Sequence, residues 1–203
     1  MTTEKKTSKA ERTRQFIIEK SAPIFNKKGY DGTSLSDLIK ATGLTKGAIY
    51  GNFENKDDVA VEAFEYNLSL IREVINLRNS SGENSIQWLL KIPQFYRSTF
   101  RKLADQGGCP LLNAAIDAGD DHSLLQKKVF HSINSWRNNI EQMITEGQDR
   151  KEIKKEINGA ECATIFIALI EGGIMLTKAL REPNQLMIVL NKVENMIKTE
   201  LPE

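Results

Sequence analysis

The chain has little of what builds disulfide frameworks or metal centres. Its 203 residues include two cysteines, Cys109 and Cys162, and two histidines, His122 and His131. Two distant cysteines do not make the disulfide framework of a small secreted domain, and histidines nine positions apart do not share one face of a helix. No signal-peptide pattern opens the chain. We therefore expect a cytoplasmic protein with no metal and no other cofactor.

Long apolar runs and catalytic motifs are also missing. The longest apolar run, from Cys162 to Ile170, has nine residues if Thr164 is allowed, about half of what crosses a bilayer. The sequence contains no Gly-x-Ser-x-Gly, no phosphate-binding glycine loop and no spacing that groups Ser, His and Asp. We therefore expect neither a membrane partner nor an enzyme.

The nearly neutral net charge of +1 hides an asymmetry along the chain. Residues 1–56 carry 11 Lys and Arg against 6 Asp and Glu, a net +5, whereas residues 57–203 carry 17 against 21, a net −4. A basic segment of this kind suits electrostatic capture of a phosphate backbone. The alternative is a basic disordered tail, which we expect for residues 1–9.

Residues 33–58 have the pattern of two short helices joined by a glycine turn. Ser34, Thr45 and Asn55 each stand where a helix should begin, and Gly43 stands where the first helix should end in a left-handed conformation. So tight a turn favours two helices that cross steeply, which is a helix-turn-helix.

The second of these helices, Lys46–Gly51, has small residues that allow close approach to DNA, next to a cation and a phenol. Lys46 and Tyr50 are placed to reach base edges, and Lys56 to bind a phosphate. Arg12 or Arg14 is a further candidate for a phosphate contact. The predicted DNA-binding residues are Thr33, Ser34, Thr45, Lys46, Gly47, Ala48, Tyr50, Asn52 and Lys56. The alternative is an ordinary helical hairpin inside a core.

This stretch resembles the DNA-binding signature of TetR/AcrR-type bacterial transcriptional regulators over roughly residues 10 to 60. The residues that carry the likeness are Gly29, Tyr30, Thr33, Ser34, Asp37, Leu38, Ile39, the run from Gly43 to Tyr50, Phe53 and Lys56. The resemblance implies an all-helical regulatory domain that dimerises and often binds a small ligand. Gly51 departs from the pattern, because relatives often have a bulky residue there that contacts the DNA backbone.

Helical periodicity continues through the rest of the chain. We predict an all-α fold with a three-helix N-terminal DNA-binding domain in residues 1–56. About six helices in residues 57–203 would form the regulatory and dimerisation domain. The first helix should kink at Pro23 and end at Gly29. A long helix from Lys56 to about Asn79 should connect the two domains.

Aromatic residues at helical spacing are candidates for a ligand cavity, although the same pattern is typical of a plain core. The predicted ligand-binding residues are Trp88, Phe95, Tyr96, Phe100, Phe130, Trp136 and Met175.

Cys109 follows two glycines and precedes Pro110, which places its thiol at the start of a helix. A thiol there ionises more easily, so Cys109 is a candidate sensor of electrophiles or oxidants with Lys178 as charge partner. The alternative is a small buried packing residue.

The last two helices, Gly159–Leu180 and Asn184 to about Leu201, carry apolar stripes. Two copies of each would close a four-helix bundle between two chains. The predicted dimerisation residues are Ile170, Gly173, Ile174, Leu186, Val189, Leu190, Val193 and Ile197. The alternative is that both faces are buried within one subunit.

Together these patterns predict a homodimeric repressor that binds a palindromic double-stranded DNA operator and is released by a small-molecule, electrophile or oxidant effector. The alternative is a helical ligand-binding or adaptor protein that does not bind DNA.

Overall fold

The computed structural model describes residues 8–72, 83–117 and 123–203. These ranges contain nine helices and, beyond one isolated bridge between Ile153 and Pro202, no β-structure. The predicted all-α class is therefore confirmed. The helices are α1 Lys9–Gly32, α2 Leu35–Thr42, α3 Lys46–Tyr50, α4 Lys56–Ser69, α5 Ser85–Asp105, α6 Pro110–Asp117, α7 Ser123–Asp149, α8 Gly159–Leu180 and α9 Asn184–Thr199.

Some predictions fall outside the described residues. They are residues 1–7 of the disordered tail expected over residues 1–9, the part of the connecting helix from residue 73 to 79, and His122. Ser8 caps α1 and Lys9 is its first residue, so the tail prediction is wrong for these two residues. Helix α4 ends at Ser69, so the prediction of one continuous helix from Lys56 to about Asn79 is wrong as well.

The chain divides into two compact units. The first contains residues 1–70 and 113–129, and the second contains residues 71–112 and 130–203. Helix α4 therefore belongs with the N-terminal helices. The functional boundary between residues 56 and 57 stays a prediction.

The first unit has a hydrophobic core in which α1 packs against α4 and α2. Ile17, Leu38, Ile49 and Val59 are completely buried in it. The Asn67 side chain on α4 donates a hydrogen bond of 2.8 Å to the Ala22 carbonyl on α1. Burial of these apolar side chains, each worth about 1.5–3 kcal/mol, fixes the platform that carries α2 and α3.

The break in α1 lies at Gly29. Gly29 has φ +77°, whereas the backbone at Pro23 stays helical, so the kink predicted at Pro23 is wrong. The carboxylate of Asp117 accepts a hydrogen bond from the Tyr30 N–H beside this break. A Cβ added to Gly29 would lie only 2.5 Å from Asp117 Oδ1. Glycine therefore supplies both the left-handed backbone and the space for the carboxylate.

The second unit is built on α9, which packs against α8 and α5. Tyr96, Trp136 and Phe166 are its largest buried side chains. The charged segment 147–158 is anchored by Ile153, which is completely buried. Gln148 on α7 further holds it by donating hydrogen bonds to the carbonyls of Lys154 and Ile157.

Helix α8 is long and apolar enough, by length and composition, to cross a membrane. The sequence prediction considered only the longest uninterrupted run and missed this. The buried core helix of a folded domain passes the same test, and α8 packs one face against α9.

Candidate nucleic-acid interface

Hydrogen bonds at their ends fix the directions of α2 and α3. At the start of α2, the Ser34 hydroxyl accepts from the Asp37 N–H at 3.1 Å, and the Asp37 carboxylate accepts from the Ser34 N–H at 3.0 Å. At its end, Gly43 has φ +68° and donates to the Ile39 carbonyl at 2.8 Å. The predicted caps and the glycine turn are confirmed, and they make the chain leave α2 at a defined angle.

Helix α3 has one buried side and one exposed side. The Thr45 hydroxyl accepts from the Ala48 N–H at 3.2 Å, and Ile49 is completely buried beneath the helix. On the other side Lys46 and Gly47 are exposed, while Tyr50 is half-buried and packs against the same core as Ile49. The helix thus presents a cation and a small residue outward, with part of the phenol accessible beside them.

The glycines around α3 differ in the space they leave. A Cβ added to Gly47 would meet no atom within 4 Å, so the helix surface is open there. A Cβ added to Gly51 would lie 3.1 Å from the Gly47 carbonyl oxygen. Gly51, at an exposed position, therefore contributes no side chain to a DNA contact.

Arg14 holds the turn after α3. Its guanidinium lies 4.1 Å from the centre of the Phe53 ring, donates to the Asn52 carbonyl at 2.7 Å and pairs with Glu62 at 3.0 Å. The Asn52 side chain donates in turn to the Ala48 carbonyl at 2.9 Å. Arg14 was a candidate for a phosphate contact, but these bonds give it the role of positioning α3 on α1 and α4.

Lys56 lies at the start of α4 beside Tyr30. Its ammonium group is 4.2 Å from the centre of the Tyr30 ring, and the Tyr30 hydroxyl donates to Asp57. Burial and the Asp57 hydrogen bond raise the pKa of Tyr30, so the phenol stays neutral. The ring therefore fixes the position of the Lys56 charge without cancelling it.

Thr33 does not have the predicted DNA-binding geometry. Its side chain is completely buried, and its hydroxyl donates to the Gly29 carbonyl at 2.6 Å. Thr33 therefore stabilises the break in α1 instead of facing DNA.

Side chains of the protein itself likewise occupy the N-terminal end of α2. Lys28 pairs with Asp37 at 2.6 Å, and this bond, together with the Ser34 cap, holds the Asp37 pKa well below its usual range.

A buried polar cluster occupies the second unit. The Cys109 thiol donates to Glu171 Oε1 at 3.0 Å, and burial next to Cys109 and Glu171 raises the pKa of the Tyr96 hydroxyl well above its usual value. The Tyr96 ring packs against Phe95 and against Trp136, with ring centres 5.6 and 6.1 Å apart.

The electrostatics of Cys109 contradict the sensor prediction. Burial and the neighbouring Glu171 raise the pKa of this thiol well above its usual value, although the N–H groups of Leu111 and Leu112 oppose the shift. Lys178 is exposed and donates to the Gly107 carbonyl at 3.1 Å, while the thiol donates its hydrogen bond to the Glu171 carboxylate. The thiol lies at the helix start as predicted, but the prediction of a reactive thiolate is wrong in this structure, because the helix start is buried next to an acid.

Comparison with known proteins decides the family. The family model described as bacterial regulatory proteins, tetR family, matches residues 17–63, which contain α2 and α3. A second model, the Tetracyclin repressor-like C-terminal domain, matches residues 86–193 and covers more than half of the chain. The chain belongs to the TetR family. It is a DNA-binding transcriptional regulator.

Solved structures of TetR-family regulators are similar over nearly the whole chain. One from Cytophaga hutchinsonii has 41% identity and a TM-score of 0.87, with 98% of each chain covered. Another, from Chloroflexus aurantiacus, has 31% identity and a TM-score of 0.88, covering 96% of this chain and 98% of that one. The transcriptional repressor DhaR of Mycobacterium sp. strain GP1 is 22% identical over 81% of this chain and 82% of its own length.

The predicted ligand residues of this TetR-family chain fall into two groups. Trp88, Tyr96 and Trp136 are buried, and Phe95 and Phe100 are half-buried. Phe130 and Met175 are 63% and 49% exposed, so within the single chain they do not line an interior site. The helical periodicity placed Phe130 and Met175 on helices correctly, but these two side chains lie on outward faces of those helices.

The predicted dimerisation residues lie inside the subunit. Seven of them are buried and Val189 is half-buried, because these faces of α8 and α9 pack against each other. A Cβ added to Gly173 would lie 3.1 Å from Leu186 and Val189. For the seven buried residues the prediction that they face a second chain is therefore wrong, and the intrasubunit alternative describes them, whereas for Val189 it stays a prediction.

Sequence reasoning missed Glu171. It is the one acid beyond the first turn of the mostly apolar α8, and that isolation was the available signal, because an acid inside an apolar helix needs a reason to be there. Among the residues that the structure describes, no three His, Cys, Asp or Glu side chains are grouped to hold a metal ion.

Proposed function

We propose that this regulator is a cytoplasmic homodimer that represses transcription from a near-palindromic operator and leaves it when an effector binds in the second unit. The observation that carries the DNA-reading part is the exposed face of α3, held by the Ile49 anchor and the Thr45 cap. In this proposal Lys46 and Tyr50 contact base edges, while Lys56 contacts a phosphate.

Two copies are needed because α3 has only five residues. A two-fold dimer doubles the contacts and places its two reading helices about 34 Å apart, one turn of the duplex. The operator should therefore consist of two inverted half-sites with that spacing.

An outward apolar stripe on α8 supports the dimer. Ile165, Met175 and Leu176 are 44%, 49% and 39% exposed, and Ile188 on α9 is 60% exposed. Contiguous apolar surface of this kind marks interaction sites on soluble proteins. A Cβ added to Gly172 within the stripe would meet nothing within 4 Å, so a second helix has room to approach closely.

Binding to the DNA that flanks its own gene tests the reading face. Lys46→Ala and Tyr50→Ala should each weaken operator binding about tenfold or more at fixed salt, as expected for groups that contact base edges. Lys155→Ala is the matched control, because it removes an exposed lysine of the second unit. Equal affinity of all four proteins, or failure of the wild type to bind flanking and genomic DNA, would contradict the proposal.

Sedimentation equilibrium tests the dimer. Ile165→Asp combined with Ile188→Asp should give a monomer, whereas Asn195→Asp, an exposed change on α9, should leave the dimer intact. A wild-type protein that stays monomeric at every concentration would contradict the assembly.

A further inference from the structure

The cluster around Glu171 has three buried polar atoms without a hydrogen-bond partner among the described residues. They are Glu171 Oε2, the Tyr96 hydroxyl and the Trp136 indole nitrogen. Buried polar atoms are nearly always paired in folded proteins, and leaving one unpaired costs about 1–3 kcal/mol. The three side chains that carry these atoms pack against each other or interact electrostatically. Together their unpaired atoms indicate a binding site for polar groups of another molecule.

The Glu171 side chain determines the charge of this binding site. Glu171 has no ion-pair partner in residues 8–72, 83–117 and 123–203, and its described polar contact is the Cys109 thiol. That thiol donates to Oε1 and thereby fixes the orientation of the carboxyl group. Oε2 is then the oxygen without a hydrogen-bond partner among the described residues. A buried carboxylate without a cation is strongly unfavourable, so this site favours a cation that reaches Oε2 over a neutral or anionic group.

Aromatic rings form the apolar part of the same place. The Tyr96 ring contacts both the Phe95 ring and the Trp136 ring, and Tyr96 and Trp136 are buried. Aromatic faces attract cations and cover the apolar body of a ligand, while a few polar atoms orient it. An anionic ligand would instead meet the Glu171 carboxylate, which no described cation pairs with.

We propose that the second unit binds an organic amine in its protonated form. Glu171 Oε2 accepts a hydrogen bond from the ammonium group, and the rings of Tyr96 and Trp136 contact its apolar body. The Trp136 nitrogen donates to an acceptor on the ligand. The proposal rests on the effector-controlled regulator proposed above and names the chemical class of that effector.

Matched sets of small molecules test the charge preference. Each set contains an aromatic or cycloaliphatic amine together with the alcohol and the carboxylate of the same skeleton, such as phenethylamine, phenethyl alcohol and phenylpropionate. Calorimetry measures binding. Fluorescence of the Trp88→Phe variant, in which Trp136 is the one remaining tryptophan, reports on the cluster itself. Wild-type protein should bind the amine at least about tenfold more tightly than its alcohol and should not bind the carboxylate.

Glu171→Gln keeps the shape of the side chain and removes its charge. It should abolish the preference for the amine while leaving binding of the alcohol unchanged. Glu161→Gln is the matched control, because it removes an exposed acid from the first turn of the same helix. Unchanged amine binding by Glu171→Gln would overturn the proposal, as would tightest binding of the carboxylates or the absence of any charge preference across the sets.

Proton release gives a second readout on the wild-type protein, which does not depend on folding of a variant. Burial raises the pKa of Glu171 to about 7, and Cys109 and Tyr96 beside it stay protonated near neutral pH. An arriving cation favours the carboxylate, so binding at pH 7 should release protons, seen as buffer-dependent heats. The amine-to-alcohol affinity ratio should also rise between pH 6 and pH 8. No proton release and a constant ratio would overturn the amine site.

DNA binding separates this proposal from the proposed function. Glu171→Gln should bind the operator with wild-type affinity, and amines that release the wild type should not release the variant. Amines that bind through Glu171 without affecting DNA would support the site and contradict effector release. Loss of operator binding by both proteins would contradict the regulator and leave the binding result standing.

Discussion

Replacing Glu171 by glutamine should change how the stability of the protein depends on pH. Burial raises the pKa of Glu171 from its usual 4.5 to about 7 in the folded chain, whereas in the unfolded chain the group ionises near its usual value. Between these values the folded state binds the extra proton, so the free energy of unfolding falls as pH rises. The stability associated with this proton is fully present below about pH 4.5 and is lost above about pH 7.

This difference between the folded and unfolded pKa values of Glu171 corresponds to about 2–4 kcal/mol in the free energy of unfolding. Relative to Glu171→Gln, which does not titrate, the wild type should therefore lose about this much stability from pH 5 to pH 8. Cys109 and Tyr96 do not interfere, because their raised pKa values keep them neutral over the range.

Urea unfolding at several pH values measures the effect at one fixed protomer concentration, because a dimer's stability depends on concentration. Glu161→Gln serves as the control and should follow the wild type. A constant difference between wild type and Glu171→Gln at every pH would refute the reasoning, since it would mean that Glu171 ionises as easily in the folded protein as in water.

Further predictions concern the first unit. In the urea assay, Gly29→Ala should lower the free energy of unfolding by about 1–3 kcal/mol, because φ is +77° there and Asp117 occupies the space. Gly47→Ala is the control, and it should keep the wild-type stability because its added methyl group meets nothing within 4 Å. Thr33→Val should cost about 1 kcal/mol, because the hydrogen bond to the Gly29 carbonyl is lost; operator affinity at low temperature should be unchanged, and a specific loss of affinity would return Thr33 to the DNA contacts. Lys56→Ala should reduce the slope of log affinity against log salt by about one unit in gel shifts, and an unchanged slope would mean that Lys56 touches no phosphate.

The helices and their caps could be predicted from the sequence because their signals are local. Ser34, Gly43, Thr45 and Asn55 act on backbone groups within four positions of themselves, so the pattern contains the whole cause. The exposed face of α3 could be predicted in the same way, since Ile49 is the residue of this short helix that is completely buried.

The errors concern contacts between distant parts of the chain. The helix-start position of Cys109 was readable, but its pKa depends on Glu171, 62 positions away. The apolar stripes of α8 and α9 were readable too. However, a stripe packs equally well against a helix of the same chain or of another chain, and periodicity does not tell these apart. The break of α1 at Gly29 was readable from the sequence, but the contacts of Asp117 and Thr33 that hold it were not.

The two neighbouring glycines of α8 face different surroundings. Gly173 is pressed against Leu186 and Val189 of its own chain, while a side chain at position 172 would project into open space. Evolution can therefore enlarge residue 172 without disturbing the interior of the subunit. In the proposed dimer this position faces the partner chain, so its size would offer a route by which related regulators in one cell avoid mixed pairs.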